Sequence, residues 1–284
     1  LVVKVGVNIQ KNQFLYISAS TDALDLARLI TKKAYEAGAR QVFVDLADDQ
    51  IGRARYELAP DDSFDFFPEW KVKEREWLAE QGAAFVSIVS QSPDLLKGID
   101  SKRIATFQKA AGTALNKYRQ YVQSDKISWT VIASPSEAWA EKVFPNLPKE
   151  KQVDALWDAI FKATRSDLDN PVEAWTKHND TLHEKVHYLN AKKYAKLHYT
   201  APGTDLTIEL PKGHLWCGAG SVNEKGEEFM ANMPTEEVFT VPHKDGVNGY
   251  VSSTKPLSYG GNIIDNFKIT FENGRITKVE AEQG

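Results

Sequence analysis

Two groups of residues in this chain of 284 have types and spacings that could do chemistry. The first is His183-Glu184-Lys185-Val186-His187, a literal H-E-x-x-H. On a helix, residues four apart share a face, so both imidazoles could hold a zinc ion while Glu184 served as general base. The pattern is short and arises by chance. Its context is also poor for a buried site: the apolar stripe of the predicted helix is Trp175, Leu182, Val186 and Leu189, and the histidines fall beside it. Lys185 stands where working sites are commonly apolar, no acidic or histidine third ligand follows, and the next residues include Lys192, Lys193 and Lys196. The spacing favours a solvated or interfacial helix face, with the zinc site as the alternative.

The second group is Glu236-Glu237, within Asn232-Met233-Pro234-Thr235-Glu236-Glu237-Val238-Phe239-Thr240. Adjacent side chains of an extended segment point to opposite faces, so only one of these carboxylates would face a given site. Val238 and Phe239 suggest a strand entering a core, which would carry that carboxylate into partial burial. A buried charge persists with a partner, and a metal ion is an effective one. On spacing alone an exposed acidic turn is the favoured reading. The single cysteine, Cys217, reads as a half-buried residue between Trp216 and Gly218 and not as a nucleophile. It permits no intramolecular disulfide and fits a reducing, cytoplasmic compartment.

The elements that must position these groups follow two grammars. Up to about residue 190, strands alternate with helices: Phe14 to Ser18, a helix with Leu24, Ala27, Ile30, Ala34 and Tyr35 on one stripe stopping at Gly38, then Gln41 to Leu46. The same order recurs as a helix over Lys71 to Gln81 before Ala83 to Val89, and a helix over Ser101 to Ser124 before Trp129 to Ala133. Three helices open near prolines, over Pro135 to Val143, Pro148 to Ala163 and Pro171 to Lys193. Short apolar runs alternating with helices predict an α/β domain whose mostly parallel sheet carries helices on both faces. Beyond residue 193 the pattern turns β-rich, with Tyr194 to Thr200 and Asp205 to Leu210 around Pro202-Gly203, and Phe267 to Phe271 pairing with Ile276 to Ala281. The expected division is 1–190, an α/β domain, and 191–284, the β-rich beginning of a second domain.

Composition excludes several partners. Hydrophobic residues make up 42% and charged residues 26%, as in ordinary folded proteins. The net charge of -4, from 35 basic and 39 acidic residues interspersed, gives no field for nucleic acid or an anionic membrane. No apolar run is long enough to span a bilayer. The first strand-to-helix turn, Ser18-Ala19-Ser20-Thr21-Asp22, has no glycine and carries an acid, which argues against phosphate binding.

Gly218-Ala219-Gly220, the Asn232 to Thr240 string, Gly249-Tyr250-Val251 and Pro256-Leu257 resemble the thermophilic-aminopeptidase family of metallopeptidases. So do Glu36-Ala37-Gly38-Ala39 and the set Trp175, His178, Leu182, Leu189 and Asn190, so the likeness covers the whole chain. The resemblance implies a catalytic second domain, removal of N-terminal amino acids from peptide substrates, and a homodimer. It also implies two divalent metal ions, of a kind that zinc, cobalt, manganese or magnesium could fill. It makes Glu237, the second glutamate of the string, a metal ligand, and it expects the other ligands beyond Gly284, so that residues 1–284 carry only part of the site. The alternatives are an H-E-x-x-H zincin-type metalloprotease on His183, Glu184 and His187, or a non-catalytic fragment.

Overall fold

A computed structural model describes residues 1–284. The expected alternation is present: β1 (Phe14–Ser20), α1 (Leu24–Glu36), β2 (Gln41–Ala47), α2 (Asp49–Leu58), α3 (Glu69–Glu80), β3 (Ala84–Val89), α4 (Ser101–Ala114), α5 (Asn116–Gln123) and β4 (Trp129–Ala133). Then come α6 (Glu137–Val143), α7 (Lys149–Ala163) and α8 (Pro171–Lys192). Strands β1 to β4 form one parallel sheet in the order β2-β1-β3-β4. One face, with Leu15, Ile17, Val86 and Ile88, packs on Ala27, Ile30 and Ala34 of α1. The opposite face, with Tyr16 and Phe85, packs on Leu78 and Ala79 of α3. Burial on both faces explains the continuous apolar runs of β1 and β3, whereas β2, at the sheet edge, has no buried residue, with Val44 and Leu46 exposed despite its apolar run.

Three details depart from the sequence expectation. Helix α2 was not anticipated, because none of its residues is buried and no apolar stripe betrays it; its one signal is Asp48, whose carboxylate caps the amides of Gln50 and Ile51. The helix expected over Ser101 to Ser124 is broken at Leu115 into α4 and α5. Tyr35, expected on the buried stripe, is half exposed, and its hydroxyl accepts the Val42 N–H at 3.1 Å.

Short strands β5 (Lys196–Ala201), β6 (Thr204–Glu209), β7 (Cys217–Gly218), β8 (Ser221–Val222), β9 (Glu228–Phe229) and β10 (Val238–Phe239) follow. The chain ends with β11 (Val247–Ser252), β12 (Leu257–Tyr259), β13 (Asn262–Ile264), β14 (Lys268–Glu272) and β15 (Arg275–Glu280). An antiparallel sheet runs β15-β14-β11-β6-β5, and the anticipated β14–β15 hairpin is present with a register shift at Thr270/Phe271. Gly249 sits in β11, where a Cβ would lie 2.1 Å from the Asp205 carbonyl oxygen at φ +111°, so no other residue fits without moving β6.

The chain forms two compact units: residues 1–177 with 220–235, and residues 178–219 with 236–284. This division differs from the expected boundary near residue 190, where helix gives way to strand. In the first unit, β8 and β9 form a separate two-stranded hairpin, and the residues that follow it add to the parallel sheet. Asn232 bridges Val131 of β4 in parallel, with Val131 N–H to Ala231 O at 2.8 Å and Met233 N–H to Val131 O at 3.0 Å. Met230 and Met233 are thereby buried with the α1 face of the sheet.

Between the sheet and α3, the Tyr16 hydroxyl donates to Asp45 at 2.9 Å, and Lys71 and Arg75 approach the same carboxylate at 3.3 and 3.8 Å. Arg75 also lies against the rings of Tyr16 and Tyr118, at 5.8 and 5.9 Å. Burial is the main cause that pushes both phenols upward, Tyr16 well above the usual range and Tyr118 to about 12. A phenol in the unfolded chain ionises near pH 10. The unfolded state therefore loses these protons first, and the stability present below about pH 10 falls as pH rises through the folded-state values. Urea titrations across alkaline pH should show this loss in the wild type and a shallower one in Tyr118→Phe; equal slopes would contradict it.

Candidate metal-ligand segment

The Glu236-Glu237 pair lies just ahead of β10. Within the second unit, β10 pairs antiparallel with β7, Val238 opposite Gly218 and Phe239 opposite Cys217. Thr240 extends the contact by donating its hydroxyl to Leu215 O at 2.7 Å. Gly218 makes the approach possible: a Cβ there would stand 2.8 Å from Glu237 O and 3.0 Å from Val238 Cα. The glycine of Gly218-Ala219-Gly220 is thus explained by backbone proximity.

The two glutamates have different surroundings. Glu236 Oε2 lies 3.4 Å from His178 Nε2, on α8, whose side chain is only 11% exposed. The Glu237 carboxylate is exposed and makes no hydrogen bond or ion pair with the rest of the chain. The expected partial burial of this carboxylate is not found, and Phe239 is 53% exposed. The reason is that β10 is two residues long and pairs on one side alone, so it never enters a packed core. Cys217 is likewise exposed, because the same short ladder covers little of it.

The H-E-x-x-H residues lie farther along α8. Leu182 and Val186 are buried, His183 is half-buried, and Glu184 and His187 are exposed. The two imidazoles stack with centroids 6.4 Å apart. Nowhere in the chain do three or more His, Cys, Asp or Glu side chains come together in a group able to hold a metal. Of the residues singled out in the sequence, Glu237 offers a metal one carboxylate and no converging second donor.

The model of the thermophilic metalloprotease (M29) family matches residues 1–284. The chain belongs to this family. It is 63% identical to aminopeptidase AmpS of Bacillus subtilis over 284 residues, covering 100% of this chain and 69% of the relative. It is 38% identical to aminopeptidase T of Thermus thermophilus, covering 70% of that protein. The solved structure of wild-type AmpT from Thermus thermophilus superposes with a TM-score of 0.92 at 37% identity, over 100% of this chain and 70% of that one. As an M29 metallopeptidase the protein is a hydrolase that works with a divalent metal. The mixed fold, a parallel sheet between helices followed by antiparallel strands, is that of the family structure.

Asn190 makes contacts that the chemistry-led reading of the sequence did not single out. Its side-chain amide donates to Trp216 O at 2.9 Å and accepts from Trp216 N–H at 2.8 Å. The signal was its place in the family-like helix set; its partner, 26 positions away, was not legible.

His183→Ala and His187→Ala should each leave the metal content of the full-length enzyme within about a factor of two, since exposed or half-exposed imidazoles without a third donor bind weakly. Elemental analysis of the purified variants checks this, and loss of stoichiometric metal in either one would restore the H-E-x-x-H site.

Proposed function

We propose that the protein is an aminopeptidase that removes N-terminal amino acids from peptides and that Glu237 is one of the ligands of a two-metal site. The relatives' names support the reaction. The observation that carries the residue choice is the contrast within the pair: Glu236 is engaged by His178, whereas Glu237 presents a free carboxylate from a backbone fixed by β7. An ionised carboxylate with no protein partner is a ready donor for a hard divalent cation. When bound, such ions supply electrophilic activation of the scissile carbonyl and of a water. The remaining donors come from sequence outside residues 1–284, and residues 191–284 are the beginning of the catalytic domain. The reading also includes peptide substrates, a cytoplasmic location and a homodimer; no helix is long and apolar enough to cross a membrane.

Glu237→Gln in the full-length enzyme should fold normally and lower kcat/KM by about a hundredfold or more, the scale expected when a metal ligand loses its charge. Glu236→Gln keeps an oxygen near His178 and should lose far less. Steady-state hydrolysis of an aminoacyl chromogenic substrate, with circular dichroism as the folding control, measures both; equal losses would remove the basis for choosing Glu237.

Residues 1–284 expressed by themselves should show no turnover with cobalt or zinc, because one carboxylate does not hold a catalytic ion against water. Metal-dependent hydrolysis by that fragment would mean that a complete site lies within it.

A further inference from the structure

Helix α8 touches the Glu237 segment's support at two places, both within the second unit. Near the start of its part in that unit, His178 reaches Glu236, the residue immediately before the proposed ligand. Three turns later, Asn190 clasps the Trp216 backbone on both its N–H and its carbonyl, as one peptide group would clasp another. Trp216 leads directly into β7, and β7 is the strand on which β10 is laid. Leu182 and Val186, buried between these two positions, fix the helix itself.

The route is therefore continuous from α8 to both sides of Glu237. Asn190 fixes Trp216, Trp216 sets the start of β7, and Gly218 of β7 packs against the Glu237 carbonyl. On the other side, His178 lies against the Glu236 side chain and so bears on the direction in which the following residue, Glu237, leaves the backbone. A short irregular stretch has no helix or long ladder of its own to hold a side chain's direction, so such outside contacts decide it.

We propose that His178 and Asn190 are positioning residues of the metal-binding carboxylate, His178 acting through Glu236 and Asn190 through the Trp216–Gly218 backbone. The proposal rests on the assignment of Glu237 as a ligand. Neither residue touches metal or substrate in this account; together they set where the Glu237 carboxylate stands and in which direction it points.

The test is the affinity of the full-length apoenzyme for cobalt(II) alone, by calorimetry and by the visible absorption of the bound ion. His178→Phe fills the space but removes the imidazole nitrogen facing Glu236 and should weaken cobalt binding about tenfold or more, the usual scale for losing a residue that orients a ligand. His178→Gln, whose amide can still reach Glu236, should recover most of the affinity, and Asn190→Leu should weaken binding as His178→Phe does. Because His178 acts through Glu236, the double variant His178→Phe/Glu236→Ala should bind no worse than the weaker single variant; additive losses would overturn the route. Glu237→Gln separates the two ideas. Wild-type cobalt affinity in that variant removes the ligand assignment, whereas loss there with wild-type affinity in His178→Phe overturns the positioning role alone. Should His178→Phe fail to fold, His178→Gln and His178→Asn decide: the shorter amide falls short of Glu236, and equal affinity in these two overturns the proposal.

Discussion

A two-residue ladder governs the candidate site. Val238 faces Gly218 and Phe239 faces Cys217, and the close approach at Gly218 leaves no room for a Cβ beside the Glu237 carbonyl. So few hydrogen bonds would not hold a strand in isolation. The ladder persists because its outer strand is pinned from behind by the Asn190 amide on Trp216, and because Thr240 adds a third contact at Leu215. Glu237 consequently stands on a fixed backbone while its side chain remains exposed and unengaged, which is the combination a metal ligand needs before its ion arrives.

The same support separates the pair. His178 Nε2 lies 3.4 Å from the Glu236 carboxylate, so the two acids have different surroundings although they are neighbours in sequence. The H-E-x-x-H residues, by contrast, share a helix with His178 and Asn190 but lack converging partners. Val186 uses the buried side of that turn for packing, and the stacked imidazoles remain at the surface.

The parallel sheet obeys a different constraint. Its central strands β1 and β3 are covered on both faces and are apolar on both sides, and a polar group between β1, β2 and α3, Tyr16 with Asp45, Lys71 and Arg75, is held by mutual contacts. The Asn232 segment adds to the edge at β4 through the amides and carbonyls of Val131, Ala231 and Met233. The string Asn232 to Thr240 is thus divided. Its first part is sheet-edge backbone of the first unit, and Glu236 onward belongs to the second.

The sequence by itself determined the elements that carry a strong local signal. The parallel strands were legible from apolar runs such as Val42 to Leu46, α1 from the spacing of Ala27, Ile30 and Ala34 before Gly38, and the β14–β15 hairpin from the Asn273-Gly274 turn. The family was legible from the glutamate string and its glycines. Helix α2 was not, because a helix that buries nothing leaves no period in the sequence. The surroundings of the glutamates were not legible either. Alternation along an extended segment says that Glu236 and Glu237 diverge, but not which one meets a partner. That was decided by His178, 58 positions earlier in the chain, and by the clasp of Asn190 on Trp216, contacts between distant residues that only the folded chain brings within reach.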